Sequence, residues 1–463
     1  MGETKSVSRK LIDYSLNLKY EDLPAEVVHM AKQVLIDAIG NAFGGFGSDA
    51  SEIMRKVVNT LKMSGEATII GSGEKVSPHY AAWINGVMIR YLDFNDCYIR
   101  RTGTSRGGGH PSDLISAVLA LGEQAHVDGR ELITSIVLGY ELSARLATAV
   151  QKLPPESRGW NSDYRANYMV PILAGRIMGL TPEQIQNAVG IAGSRDLILN
   201  ILDATGEEYT MAKNMRFSYA SHNSILFAML AKEGFTGPER VFEGDSGLIQ
   251  TVFGGDYDLD DLLGSEDMFR IMDTGFKSIP ADRSIQGHVL ATLTLAREHD
   301  LKPEDVASVL VQAGARAVTH TTDPSKKYPT NAESADHSSF WLTACAIAKH
   351  DVGPRQFNDE NYYDPVIKAL IERTEIKIDN SFDAGIFGGS STITTVDGKT
   401  YTCRIDDPKG NVENRMTDEE ITAKYADMAS LHLPEERVAA IAKMVYDVEN
   451  LADIGDLMKL LVF

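Results

Sequence analysis

The chain has 463 residues, 43% apolar and 24% charged, which is long enough for more than one hydrophobic core and ordinary for a globular protein. A formal charge of −20 repels polyanions and sets nucleic acid and anionic membrane surfaces aside as partners, and no run of about 18 apolar residues is available to cross a bilayer. Met1-Gly2-Glu3-Thr4-Lys5 lacks the basic-then-apolar pattern of a secretory signal, so a cytoplasmic location is expected. Cys97, Cys345 and Cys403 are odd in number, far apart and without C-x-x-C spacing, which argues against a disulfide framework or a zinc knuckle.

From Leu11 to about Gly264 apolar residues recur three and four apart, as in Ile133, Ile136, Val137, Tyr140, Ala144 and Ala147. The spacing predicts an all-helical bundle. Thr181-Pro182-Glu183-Gln184 reads as an N-cap with proline at the first helical position, and Gly179 closes the helix before it. After the acidic stretch from Asp256 to Ser265 the period changes, because Val309, Val311, Ala313 and Ala315 alternate as in a half-buried strand. Ile376 and Ile378 do the same. Ser391 to Cys403 alternates on both sides of Asp397-Gly398, which predicts a hairpin, while Asp336 to Lys349 and Asp364 to Arg373 have helical spacing. Thr417-Asp418-Glu419-Glu420 then opens the C-terminal helices as a capping box. The expectation is a mainly α chain: a helical domain over residues 1–266, completed by 404–463, and a smaller α+β domain over 267–403. A cleft between two such domains is where a small-molecule site is sought.

The densest reactive cluster runs from Asp93-Phe94-Asn95-Asp96-Cys97-Tyr98 through Arg100, Arg101 and Arg106 to Gly107-Gly108-Gly109-His110-Pro111-Ser112-Asp113. Pro111 suits a first helical position, which places His110 at the helix mouth, where the macrodipole favours a neutral imidazole able to take or deliver a proton. In the plainer alternative, Asp93 and Asp96 cap or bridge to the arginines and the glycines form a surface loop. No G-x-x-x-x-G-K-[ST] is present, and Gly71-Ser72-Gly73 lacks the third glycine of a dinucleotide fingerprint, so nucleotide binding is not expected. The 11 histidines contain no H-E-x-x-H, and Asp336-His337 stands as an isolated pair, so no catalytic metal is expected.

Asn85-Gly86, Asp93 to Asp96 and Gly109 to Asp113 together resemble the central signature of the MmgE/PrpD family. The likeness continues in order through Gly139-Tyr140-Glu141, Arg158-Gly159-Trp160, Ala212-Lys213, Gly234 to Pro238, Lys277 to Ala281 with Gln286, Glu333 to Ser338 and Asp407 to Asn411. It implies a helical domain with an α+β lid, a homodimer, no metal or organic cofactor, and proton-transfer chemistry on a small polycarboxylate. By position it implies Asp93, His110, Lys213 and Lys277 as catalytic residues, each lysine being an ordinary surface lysine otherwise. Arg100, Arg101, Arg106, Asn161 and Gln286 are the candidate substrate-binding residues. The sequence also departs from the family: Asn161 follows Trp160 where decarboxylases carry histidine, Arg90 stands where histidine is frequent, Cys97 replaces a common threonine, and Asp282 stands where dehydratases often have glutamate. These details favour a hydro-lyase resembling 2-methylcitrate dehydratase, with decarboxylase, isomerase or epimerase activity as the alternative and a silent binding protein as a third reading.

Overall fold

A computed structural model describes residues 5–99, 109–150, 152–203, 205–264, 269–382 and 385–463. Two hydrophobic cores organise it. The larger is built from residues between Val7 and Phe276 and is completed by residues between Ile421 and Leu461; the smaller gathers residues between Ile279 and Ile393. The chain is therefore mainly α, with two units.

In the larger unit the helix Pro78–Arg90 is central, packed against Ala25–Gly45, Ile115–Ala125 and Arg216–Lys232. Gly86 permits the last of these contacts, since a Cβ there would stand 2.5 Å from the Cβ of Ser218. Beside it, the Asn85 amide accepts from Ile70 N at 3.0 Å and donates to Thr68 O at 3.0 Å, anchoring the helix to an irregular segment. The C-terminal helix Asp418–Ala429 lies on Ala25–Gly45, which explains how residues so late in the chain enter the first core. Local caps form as expected: Thr181 with Gln184 and Thr417 with Glu420 both make reciprocal capping boxes, and Gly179 adopts φ +66° after its helix.

The unit is not purely helical. Ala67–Thr68 pairs with Lys75–Val76, and Cys97–Tyr98 pairs antiparallel with Thr274–Gly275. Two-residue strands carry too little alternation to register in a sequence pattern. The second ladder matters most, because it draws Lys277 to the segment that starts at Asp93.

The smaller unit holds a four-stranded sheet in the order Thr374–Ile378, Val306–Ala313, Gly389–Thr395, Thr400–Ile405. The first pair is parallel and the others antiparallel, and the hairpin turns at Gly398, whose φ is +85°. Helices Gln286–Glu298, Ser339–Lys349 and Pro365–Glu372 enclose the core with one face of this sheet. Ala315 departs from expectation: the strand ends at Ala313, Gly314 becomes an N-cap, and Ala315–Thr321 is a helix. Alanine is a good helix former and only weakly favours strands, so alternation alone misplaced it. The helix expected from Asp336 begins instead at Ser339, capped by the Ser338 hydroxyl, which leaves Asp336 and His337 in the preceding turn.

The units are stitched together by segment 209–216. Tyr209 N donates to Ser334 Oγ at 2.9 Å, Asn331 Nδ2 donates to Tyr209 O at 3.1 Å, and Asn214 Nδ2 donates to Glu333 Oε1 at 2.7 Å. This seam brings the chemistry-bearing residues of both units together. No helix among the described residues is long and apolar enough to cross a membrane.

Candidate functional site

A cavity of about 390 Å³ opens at the junction, within the range of roughly 300–1,000 Å³ typical of small-molecule sites. The larger unit supplies Arg90, Asp93, His110, Asn161, Asp203 and Arg216 to its wall, and the smaller unit supplies Asp282, Arg283, Arg316, His320 and His337. Arg100, Arg101 and Arg106 lie outside the described residues.

Asp93 follows the end of the Pro78–Arg90 helix in a left-handed conformation, φ +45°, which aspartate tolerates better than most residues. That turn points a carboxylate into a cluster of cations. Lys277 Nζ stands 3.0 Å from Asp93 Oδ2 and donates to Asp93 O at 2.6 Å; Arg90 Nη2 is 3.6 Å from Oδ1. Burial alone would raise the Asp93 pKa, but Lys277, Lys213, Arg90 and His337 together hold it well below 3.8. Asp93 is therefore an anion at neutral pH.

His110 caps the short turn Pro111–Leu114 without a side-chain capping bond. Its Nδ1 lies 2.6 Å from Asp96 O, and because a carbonyl can only accept, Nδ1 carries the proton. Nε2 then presents a lone pair 3.9 Å from Asp93 Oδ1. Burial, with Arg90 and Lys277 nearby, drives the imidazole pKa well below 6.5 against the opposing pull of Asp93 and Asp96 O. The ring is neutral, with a fixed tautomer. Its support is local: Asp96 accepts from Ser112 N at 3.2 Å and Tyr140 Oη at 2.6 Å, while Asn95 donates to Ser112 Oγ and Asp113 Oδ1, both at 3.0 Å. These bonds bind residues 93–98 to 109–113. Cys97 lies 3.5 Å from His110 Nδ1, but burial pushes its thiol up to about 11, so it is no nucleophile at neutral pH.

The two expected lysines belong to this network yet stand behind the cavity wall. Lys213 donates to Asp336 at 3.0 and 3.2 Å and lies 3.3 Å from His337 Nδ1; Lys277 is bonded to Asp93. Their ammonium groups are thus matched to protein carboxylates. Asn161 reaches the wall, with its amide donating to Asp203 Oδ2 at 3.1 Å and Asn200 Oδ1 at 3.3 Å. Gln286 does not. Its side chain is committed to the backbone at Ile279 N, Ile279 O and Ala281 O, and so shapes the segment after Lys277.

His337 is the principal addition. Its Nδ1 bonds Asp336 Oδ1 at 2.5 Å, and its Nε2 faces Asp282 Oδ2 at 3.7 Å across the cavity, with the His320 ring 5.5 Å away centroid to centroid. The sequence showed Asp336-His337 as a pair, but Asp282 and His320 come from other segments. Arg216 pairs with Asp163 and Asp203, both at 2.6 Å, which raises its own pKa and holds Asp203 down at about 2 despite their burial. Arg90 differs. It is buried, and its Nε and Nη1 have no hydrogen-bond partner among the described residues, Asp113 Oδ2 being 3.7 Å away. Arg90 lines the cavity, and a buried guanidinium whose charge is only loosely matched by protein carboxylates is suited to balance an anionic ligand there.

Two groups of side chains have the atoms to hold a metal ion: Asp282, His320 and His337, and Asp93, Asp336 and His337. In the second, Lys277 and Lys213 already balance the carboxylates. The first is the better candidate.

Models of the MmgE/PrpD N-terminal domain and the MmgE/PrpD C-terminal domain match residues 9–260 and 279–450. The chain belongs to the MmgE/PrpD family. It is 24% identical to the cis-aconitate decarboxylase-like protein oryM of Aspergillus oryzae, over 98% of this chain and 97% of the relative. It is 23% identical to cis-aconitate decarboxylase of Homo sapiens, over 99% and 95%, and 23% identical to 2-methylcitrate dehydratase of Salmonella typhimurium, over 84% and 83%. These family relatives are named for decarboxylation and for dehydration.

Proposed function

We propose that this MmgE/PrpD protein is a metal-independent lyase that eliminates water from a hydroxy polycarboxylate, in the manner of a 2-methylcitrate dehydratase. The observation that carries this reading is the neutral His110, its Nε2 lone pair directed toward a cavity floor made by Asp93 and the unsatisfied Arg90. Removing a weakly acidic C–H next to a carboxylate needs a base and a cation for the dianion-like carboxylate that develops. His110 takes the proton, Asp93 stabilises the resulting imidazolium, and Arg90 holds the carboxylate. In this scheme His337 enters as the imidazolium, with Nδ1–H on Asp336 and Nε2–H facing Asp282, and gives the Nε2 proton to the departing hydroxide.

Lys213 and Lys277 act in this scheme through Asp336 and Asp93, fixing the charge of the groups that meet the substrate. The second reading is decarboxylation, favoured by the names of several relatives. Asn161 weighs against it, because an amide bonded to Asp203 and Asn200 offers no titratable proton where decarboxylases carry an imidazole.

Purified protein incubated with citrate, 2-methylcitrate and cis-aconitate, followed by ultraviolet absorbance and proton NMR, distinguishes the two. Dehydration yields a conjugated double bond and no gas, whereas decarboxylation releases carbon dioxide. The His110→Ala variant should lose about 10²–10⁴-fold in kcat while keeping its melting temperature. Full turnover by that variant removes His110 as the base.

A further inference from the structure

The cavity wall from the smaller unit carries two arginines whose setting is unlike that of Arg216. Arg283 opens the turn Arg283–Ile285, and Arg316 lies in the first turn of Ala315–Thr321, four residues before His320 and hence on the same helical face. Their guanidinium carbons stand 5.2 and 5.8 Å from the centroid of the Phe387 ring. Neither has a carboxylate within ion-pair distance among the described residues, and the protein hydrogen bond of Arg283 is to a neutral amide, Asn411 Oδ1, at 3.0 Å. Asp282, next in sequence, is directed elsewhere: it accepts from Ser284 and faces His337.

Two like charges sharing one apolar ring in a cavity wall repel each other, and an anion between them relieves that repulsion. Burial lowers the pKa of Arg283, and Arg316 lowers it further, against the opposing influence of Cys97, Asp282 and Asp407. Phe387 is held in place by its backbone. It adopts φ +60°, rare for a bulky side chain, and is followed by Gly388 and Gly389, where a Cβ would lie 2.6 Å from Asp406 O and 2.7 Å from His288 N. The loop is therefore packed tightly on both sides.

We propose that Arg283 and Arg316, set about Phe387, form the subsite for a substrate carboxylate remote from the reacting carbon, so that the ligand carries a carboxylate at each end. This inference rests on the polycarboxylate reading above and adds to it which residues recognise the far end. Arg90 and Arg283/Arg316 come from different units, so one ligand engaging both would bridge the seam.

The test is calorimetric binding of tricarballylate, a saturated tricarboxylate with no hydroxyl to eliminate, at constant ionic strength. Arg283→Gln and Arg316→Gln should each raise Kd about 10- to 100-fold, the loss of a charge-assisted hydrogen bond. Arg355→Gln, which removes an equal charge from an exposed pair with Asp427, should change it less than about twofold. Melting temperatures confirm that each variant is folded. Tricarballylate bound equally by the wild type and the Arg283→Gln/Arg316→Gln variant, or not bound by the wild type at all, overturns the subsite. Dehydration of a hydroxy acid in the same preparation leaves the proposed reaction standing in either case. Conversely, arginine-dependent binding without turnover of any hydroxy acid upholds the subsite and sinks the reaction.

Discussion

Replacing Asp93 by Asn tests the electrostatic centre of the site while sparing its backbone. Asn accepts a positive φ as readily as Asp, so the +45° turn is retained and only the charge is removed. The loss falls on Lys277, whose ammonium is buried 3.0 Å from the carboxylate, and on Arg90 at 3.6 Å. Removing one partner of a buried pair costs about 3–5 kcal/mol, because the other charge stays desolvated without compensation. Against a total stability of about 5–15 kcal/mol, that is severe. Asp93→Ala should cost about 1–2 kcal/mol more, since alanine also pays for the left-handed turn. If uncompensated charge is the cause, Asp93→Asn/Lys277→Met should recover about 1 kcal/mol or more relative to Asp93→Asn, although Asp93 O then loses its donor. Urea unfolding followed by tryptophan fluorescence measures this, with Trp83 and Trp160 belonging to the larger unit and Trp341 to the smaller. The pH dependence has a definite sign. A folded pKa well below 3.8 gives stability that is fully present above about pH 3.8 and is lost as pH falls through the folded value, so the deficit of Asp93→Asn should be constant at neutral pH and shrink only in strong acid. An Asp93→Asn protein within about 1 kcal/mol of wild type, or a double variant less stable than the single one, would refute the reasoning.

Asp96 titrates in the opposite sense: burial raises its pKa from 3.8 to about 6, so its contribution is full below about pH 3.8 and is lost as pH rises through about 6. Asp96→Asn should therefore flatten part of the fall in urea midpoint between about pH 4 and pH 6, where Asp113, which burial raises to about 7, also contributes; an unchanged slope excludes Asp96 as a source. In kinetics, the depressed His110 pKa should leave kcat/KM level as pH falls through 6.5, with the acid limb of kcat at higher pH than that of kcat/KM, because a bound carboxylate offsets Arg90. An acid limb of kcat/KM at or above pH 6.5 removes His110 as the base.

What the sequence made legible was mostly local. The N-cap at Thr181, the capping box at Thr417 and the turn at Asp397-Gly398 depend on residues within a few positions of one another, and each forms as read. The neighbourhood of Asp93 and His110 was legible for the same reason, both lying in one short stretch. Arg216, Asp282, the Arg316–His320 helix and His337 come from separate segments, and Arg216 joins the others only through the seam of 209–216 against 331–336, so no single spacing announces the group. Resemblance located Lys213 and Lys277 but not their direction. That they face Asp336 and Asp93 depends on a two-residue ladder and a single turn.

The orientation of those lysines resolves a tension created by the charge of −20. An acidic protein that binds an anion needs local cations, but free lysines around His110 would depress its pKa further and leave it too weak a base. Pairing Lys277 with Asp93 keeps the carboxylate ionised beside the imidazole, where it opposes Arg90 and Lys277. Among the described residues lining the cavity, the cations without close hydrogen-bonded carboxylates are guanidiniums, Arg90, Arg283 and Arg316, whose planar donors match a carboxylate. In the proposed scheme, ammonium groups set the charge beside His110 and guanidinium groups meet the ligand. When the ligand binds, its own charge offsets theirs, so His110 becomes most basic when a proton is within reach.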